Sequence, residues 1–489
     1  MNIATPAYVK KQNRTDYCSY SKIYILLTGF LLVMCAMVPE TPMSSIVALV
    51  AFGVYLAYLI VTRPLIILKY GFYFFVVVAS IVGTLSCEFT GDYLVEMRQY
   101  AGFHGSLPLL IASRWLFIVI LEVYENRWGV DNSLSDLSAS NHKRKGNWKH
   151  QMLMIANVGI FAGLCCAYLT VIAYPSFLMG VDRFVYASLV PSGVRTFLIG
   201  WITFMMFIPL YCFKNYKSIL GIASVVIYIL YLFWTGTKFG GYLYIVCDVL
   251  LVYYDRFLQC DIRKLAKAAI AFFASLILLV GVAVVAFSFT SEQSSVDFLT
   301  SRTAQQGQLW WATFADSDGE AHLDQAKVEL LSIAKNEMPK ENIGSNHGIY
   351  GVMYRTVPES VVDYKLSLDS RYTEAGYAVA YYCFGWLGPF AFSIVMALLI
   401  ALLQNGFLFF LNSERVIEAF VAYRFGTFLR SALSMGLFGP FFLRSSIVMA
   451  LVFVLMMLLD PPKKAKRKYL ARPPSTLTYR SRSRPRAML

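Results

Sequence analysis

The chain has 489 residues, of which 58% are hydrophobic, 16% aromatic and 15% charged. A soluble domain carries about 25% charged residues, so this composition belongs to the bilayer class. The formal charge is +14, but residues 461–489 hold ten basic and no acidic side chains, which leaves +4 for the rest (33 basic against 29 acidic) and excludes a soluble nucleic-acid binder.

From the N-terminus onward, a spanning helix needs about 20 mainly apolar residues. Twelve such runs are predicted: 22–38, 43–61, 70–86, 105–122, 151–173, 195–213, 218–235, 240–255, 268–288, 377–411, 416–435 and 440–459. The first follows Lys10, Lys11 and Arg14 and reads as an uncleaved span, because another apolar run begins a few residues later without a small-residue cleavage site. The run 377–411 exceeds one span, and Gly385, Gly388 and Pro389 divide it into a broken or juxtamembrane part and a helix proper. The expected fold class is therefore an all-α polytopic membrane protein. Residues 1–288 form helices one to nine, 289–375 one large outer loop, 376–460 helices ten to twelve, and 461–489 a basic tail.

Lys and Arg collect on the cytoplasmic side. With the N-terminus inside, the basic turns at 63–69, 127–149, 214–217 and 256–267, the turn at 414–415 and the tail all fall inside. Both termini are then cytoplasmic, and the outer segments are 87–104, 174–193, the tight turn 235–240 and the large loop. That loop has thirteen acidic and seven basic residues, together with Trp310 and Trp311. A connection this long is functional or disordered, and its tryptophans favour a folded segment. Within it, 324–336 has the i, i+3, i+4 apolar spacing of a short amphipathic helix.

Charges at span ends are costly and begin as functional candidates. On the outer side these are Asp182 and Arg183, Lys238, Arg302, His347, Arg371 with Glu374, and the pair Arg430 and Arg444 around the last outer turn. Arg presents a planar fork matched to phosphate oxygens, and Lys a point charge. Such cations beside an apolar cleft suit a lipid-linked diphosphate, and aromatic faces such as Trp310, Trp311, Tyr350, Tyr354 and Tyr372 suit sugar rings. A bland reading accompanies each residue: Arg183 pairs with Asp182, Lys238 is an interface lysine, and Arg371 with Glu374 is a local i, i+3 bridge. The nine cysteines show no CxxC or metal spacing, so neither a disulfide framework nor a metal is expected. Walker A, GxGxxG, HExxH and GxSxG motifs are absent, against an ATP-driven pump or a metalloprotease.

Taken together, twelve runs, a large outer loop before the last helices, the segment SRTAQQGQLWWA (301–312) and the Gly-Thr-Lys turn (236–238) resemble bacterial O-antigen and capsule repeat-unit polymerases of the Wzy type. These are related to O-antigen ligases and to GT-C glycosyltransferases. The chain departs from the family's Arg-X10-Gly pattern. Nine residues separate Arg183 from Gly193, Arg302 has Thr313 where the glycine would fall, and Lys238 replaces the arginine of a Gly-Ser-Arg turn.

The resemblance implies polymerisation of undecaprenyl-pyrophosphate-linked repeat units at the periplasmic face of the bacterial inner membrane, without a cofactor. Donor and acceptor would both be lipid-linked oligosaccharides, membrane lipids would surround the chain, and a chain-length regulator is a further expected partner. Catalytic roles are expected of Arg302, Arg371, Glu374 and His347. Diphosphate or sugar binding is expected of Arg183, Lys238, Trp310, Tyr372, Arg430 and Arg444. The rival readings are an O-antigen ligase, using His347 or His322 as base, and a flippase or exporter of the same glycan. A flippase places its charges near the bilayer midplane, whereas the candidates here stand at span ends.

Overall fold

The computed structural model describes residues 9–131, 148–175, 183–197, 201–236, 239–288, 295–317, 319–327, 348–367 and 372–459. The longer helices are α1 (Val9–Met37), α2 (Pro42–Thr62), α3 (Gly71–Phe89), α4 (Leu107–Trp128), α5 (Trp148–Ala173), α6 (Phe207–Tyr216), α7 (Ile219–Trp234), α8 (Phe239–Val252) and α9 (Ile262–Ser288). They continue with α10 (Ser295–Ala304), α11 (Gln308–Ser317), α12 (Gly348–Thr356), α13 (Glu359–Ser367), α14 (Ala375–Phe384), α15 (Gly388–Asn412), α16 (Val416–Met435) and α17 (Arg444–Leu459). Among the described residues the only strands are the hairpin β1 (Tyr93–Leu94) and β2 (Gln99–Tyr100), paired antiparallel with Tyr93 opposite Tyr100.

Among the described residues, five stretches are long and apolar enough to cross a membrane: Pro42–Thr62, Gly71–Phe89, Leu107–Trp128, His150–Ala173 and Ala375–Asn412. Large apolar side chains such as Leu26, Ile172 and Leu458 stand exposed on the outer faces of their helices, as expected where lipid is the neighbour. The chain is an all-α membrane protein of several passes. Helix also covers most of the remaining apolar runs.

The run 195–213 is not one continuous helix. From residue 201 onward it has a turn at Met206, which separates Thr203–Met205 from α6. Pro209 supplies the reason, since it lacks an N–H for the carbonyl four residues back and its ring crowds that carbonyl. The break expected within 377–411 is present. Gly385 adopts φ +59° and ψ −147°, and a Cβ there would meet the Gly319 carbonyl oxygen at 2.6 Å. Only glycine fits that combination.

Two apolar cores fill the bundle. One lies between α2, α3, α4, α14 and α15, the other between α5, α6, α7, α15 and α16. A third gathers the hairpin with α11, α12, α13 and α14 and includes Leu94, Trp311, Met353, Val362 and Tyr382. Of the predicted amphipathic helix 324–336, residues up to 327 are described and helical; the remainder lies outside the described residues.

The turns assigned to one side by their basic residues do meet at one end of the bundle. The buried Lys69 ammonium donates to Glu125 (2.7 Å), Asp131 (3.3 Å) and the Asn405 side-chain carbonyl (2.9 Å). Asn405 donates to Glu125 at 2.6 Å, and the Tyr70 hydroxyl donates to the same carboxylate. Lys214 pairs with Asp255 at 2.5 Å, and the Tyr216 hydroxyl donates to Glu414 at 2.7 Å. A buried charge persists only when paired and hydrogen-bonded, and Lys69 and Glu125 each have several partners.

Candidate functional site

At the opposite end, parts of the predicted large loop fold back onto α3 and α4. The seat is glycine on glycine: a Cβ on Gly83 would fall 2.6 Å from the Gly307 nitrogen, and one on Gly307 would fall 2.2 Å from the Thr84 nitrogen. This close approach lets α11 enter the core. Trp310 Nε1 donates to the Ser106 carbonyl (3.1 Å) and Trp311 Nε1 to the Gly102 carbonyl (2.8 Å), satisfying the polar edge of each ring. Each indole buries ~200 Å², on the order of 5 kcal/mol as an upper bound. Glu88, at the end of α3, accepts from the backbone N–H groups of Ser106 and Leu107 and from the Ser106 hydroxyl. A carboxylate thus caps the N-terminus of α4, where the helix dipole favours negative charge.

Glu96, in the turn of the hairpin, organises the surface above. Its carboxylate accepts from Gln305 (3.0 Å), Gln308 (2.5 Å) and Lys365 (2.8 Å), and its backbone carbonyl from the Tyr372 hydroxyl (3.4 Å). Gln305 is the hub. Its side-chain oxygen accepts from Arg302 Nη1 (2.9 Å), and its backbone carbonyl accepts from the Thr373 hydroxyl (2.6 Å). The next residue, Glu374, has a left-handed backbone (φ +62°), is buried, and pairs with the fully buried Arg114 of α4. The Arg114 guanidinium lies 3.7 Å from the Tyr377 ring centre, and its Nε and Nη1 have no hydrogen-bond partner among the described residues.

The structure thus brings Arg302, Tyr372 and Glu374 into one network reaching from the surface to the bundle interior. Arg302 is exposed. Trp310 and Tyr372 are buried to 0% and 2% exposure, so their ring faces serve packing, and the expected sugar stacking on them is not possible in this arrangement. Arg430 does not line the outer turn either. It lies inside the bundle, ringed by Phe72 (4.9 Å), Tyr244 (5.2 Å), Tyr423 (5.2 Å) and Tyr73 (5.9 Å). Arg444 is exposed at the start of α17. Arg183 begins a short helix, but its side chain, like Lys238, His347 and Arg371, lies outside the described residues.

Three participants escaped the sequence reading. Arg114 is a lone cation within an apolar run, a signal that intramembrane charges supply in principle, but its partner lies 260 positions away in sequence. Glu96 sits in a short polar turn with nothing local to mark it. Asp248, buried in α8, accepts from the Tyr423 hydroxyl at 2.5 Å beside Arg430.

The hairpin also presents Tyr93 and Tyr100 as an exposed ring pair with centres 5.1 Å apart. Nearby, Arg355 donates to Asp316 (3.0 Å) and to the Tyr382 hydroxyl (3.0 Å). Partial burial works against its charge, yet Asp316 holds the guanidinium above its usual range. His104 stacks beside Trp311 at 4.7 Å, and burial pushes its imidazole below the ordinary value. His322 stacks on Tyr382 at 4.4 Å. Among the described residues no three His, Cys, Asp or Glu side chains converge as metal ligands.

Residues 342–458 match a family of unknown function (DUF6418), which covers α12 through nearly all of α17. No curated protein and no solved structure matches the chain.

Proposed function

We propose that the chain is a GT-C-like polymerase of lipid-linked oligosaccharide repeat units, crossing the bacterial inner membrane twelve times and working at its periplasmic face. The observation that carries this reading is the position of Arg302. It is an exposed cation on a cap seated directly on membrane helices, in a network with Gln305, Glu96 and Lys365. That is where a diphosphate on a polyprenyl tail would present its charge. The exposed Tyr93 and Tyr100 pair offers ring faces for sugars beside it, in the role expected of Trp310 and Tyr372.

In this reading an acceptor hydroxyl oxygen attacks the anomeric carbon of the donor. The bond from that carbon to the diphosphate breaks, and the lipid diphosphate leaves. Arg302 and Arg371 stabilise the charge developing on the leaving group, and His347 takes the hydroxyl proton, which requires hydrogen-bond reach in the substrate complex. Glu374, buried against Arg114, anchors the cap to the bundle instead of serving as base.

Deleting the gene in its host and resolving the surface glycan on a silver-stained gel tests this. The expected outcome is lipid cores bearing a single repeat unit; cores with no unit would rule out the polymerase. One observation favours the flippase as a second reading. Asp248 and Arg430 are buried within the helices rather than at span ends, which is where a transporter keeps its charges. Cores without any unit, together with units accumulating on the cytoplasmic side, would support it.

A further inference from the structure

Glu96 stands at the tip of the β1–β2 hairpin, and that tip is fixed from several sides. Leu94 and Met97 beside it are 5% and 3% exposed and pack into the apolar cluster shared with α11 to α14. The Met97 N–H donates to the Leu94 carbonyl at 3.0 Å and the Ala101 N–H to the Asp92 carbonyl at 2.8 Å. The Tyr372 hydroxyl donates to the Glu96 carbonyl. The carboxylate is therefore held in one place.

Paired with Lys365, this carboxylate accepts hydrogen bonds and cannot donate them. Gln305 Nε2 lies 3.0 Å from its Oε1 and Gln308 Nε2 2.5 Å from its Oε2, so both amides must turn their NH2 groups toward it. An amide is planar, with its oxygen opposite its nitrogen. Once Glu96 fixes the Gln305 nitrogen, the Gln305 oxygen faces away, and it is this oxygen that accepts from Arg302 Nη1 at 2.9 Å. Turned over, the same amide would set an NH2 group against the guanidinium, donor against donor. Lys365, 2.8 Å from Glu96 Oε1, balances the carboxylate's charge, and Gln305 is neutral. Orientation thus passes from Glu96 to Arg302 without adding negative charge where an anion would approach.

We propose that Glu96 is a positioning residue: by fixing the Gln305 amide it holds Arg302 in the orientation that meets the leaving diphosphate. This role rests on the polymerase reading of Arg302.

Steady-state chain extension by the full-length protein, on lipid-linked repeat units from its host, tests it. Each variant's kcat and KM are resolved, and its folding is read from a melting curve. The amide of Glu96→Gln can donate as well as accept, so it no longer dictates which way Gln305 turns. It should lower kcat about tenfold, corresponding to one hydrogen bond to a charged group. KM should stay within about twofold, because the interaction is made to charge that develops in the transition state. Gln305→Leu should show the same loss, and Glu96→Gln/Gln305→Leu no more than either alone, because both act through one oxygen. Gln308→Leu removes another Glu96 partner and leaves the Gln305 link, so it should lower the melting temperature but keep kcat within about twofold. Glu96→Asp keeps the charge beside Lys365 and falls one methylene short of Gln305; it replaces Glu96→Gln if that variant fails to fold. Wild-type kcat in the Glu96 variant, a loss carried by KM alone, or losses that multiply in the double variant would each overturn the proposal while wild-type extension upheld the polymerase reading. No extension by the wild-type chain would remove both.

Discussion

The Lys69 cluster and the Arg114–Glu374 pair, at opposite ends of the bundle, handle charge in opposite ways. At the end opposite the cap, Lys69 has three partners and Glu125 accepts from Lys69, Tyr70 and Asn405, so any one group can be lost without stranding another. At the cap end, Arg114 and Glu374 are tied in a single pair deep under the cap, while Arg302 stands exposed above. Redundant, buried partners mark a scaffold. A lone buried pair joined through Thr373 and Gln305 to an exposed cation marks a place where structure and ligand meet.

The contrast breaks first at the pair. Glu374→Gln leaves Arg114 buried without a counter-charge and should cost about 3–5 kcal/mol, read as a large fall in the unfolding midpoint of the detergent-solubilised protein. The double variant Arg114→Met/Glu374→Gln should recover much of that loss, because no charge is then stranded. If the single and double variants melt alike, the two residues are not coupled and the anchoring role of Glu374 is wrong.

Lys69→Met should cost less than Glu374→Gln, about 2 kcal/mol, because Glu125 keeps two hydrogen-bond donors. An equal or larger loss would erase the distinction between the ends. Gly307→Ala drives a methyl into the α3 backbone and should cost about 1–3 kcal/mol. Because Trp310 and Trp311 sit one turn on, a red-shifted tryptophan emission should accompany that loss; an unchanged spectrum would mean that the cap does not depend on this seat.

The smallest effect concerns acidity. The folded His104 imidazole titrates below its ordinary value of about 6.5. As pH falls through 6.5 the unfolded chain gains a proton that the folded chain resists, so stability declines from there until the folded group also protonates. His104→Phe should flatten that decline below about pH 6.5. An unchanged slope in melting temperature across this window would assign the acid sensitivity elsewhere.

How far the sequence led depends on the kind of signal. Apolar runs report burial or lipid, so they located helices, and Gly385 with Pro389 announced the break before α15. The same signal was blind to the interruption in 195–213, where hydrophobicity is continuous and Pro209 alone hints at it. The grouping of basic turns at one end was legible, because Lys69, Lys214 and the turn around Glu414 share a rule that needs no long-range contact. The cap site was only partly legible. Arg302 and Glu374 stood out as charges near span ends, but Glu374's partner Arg114 and the organiser Glu96 lie hundreds of positions from the residues they hold. Trp310 and Tyr372 misled because an aromatic ring carries the same letter whether it stacks on a sugar or fills a core.

The central claim is that the exposed Arg302 belongs to a reaction and not to the scaffold. The direct measurement is chain extension by the purified full-length protein on lipid-linked repeat units from its own host, resolved on a gel for wild type and Arg302→Ala. An exposed substitution of this kind should change stability by less than about 0.5 kcal/mol. The expected result is a ladder of lengths for wild type and single units for a normally folded Arg302→Ala protein. A wild-type ladder from Arg302→Ala, or no extension by the wild-type chain, would contradict the account.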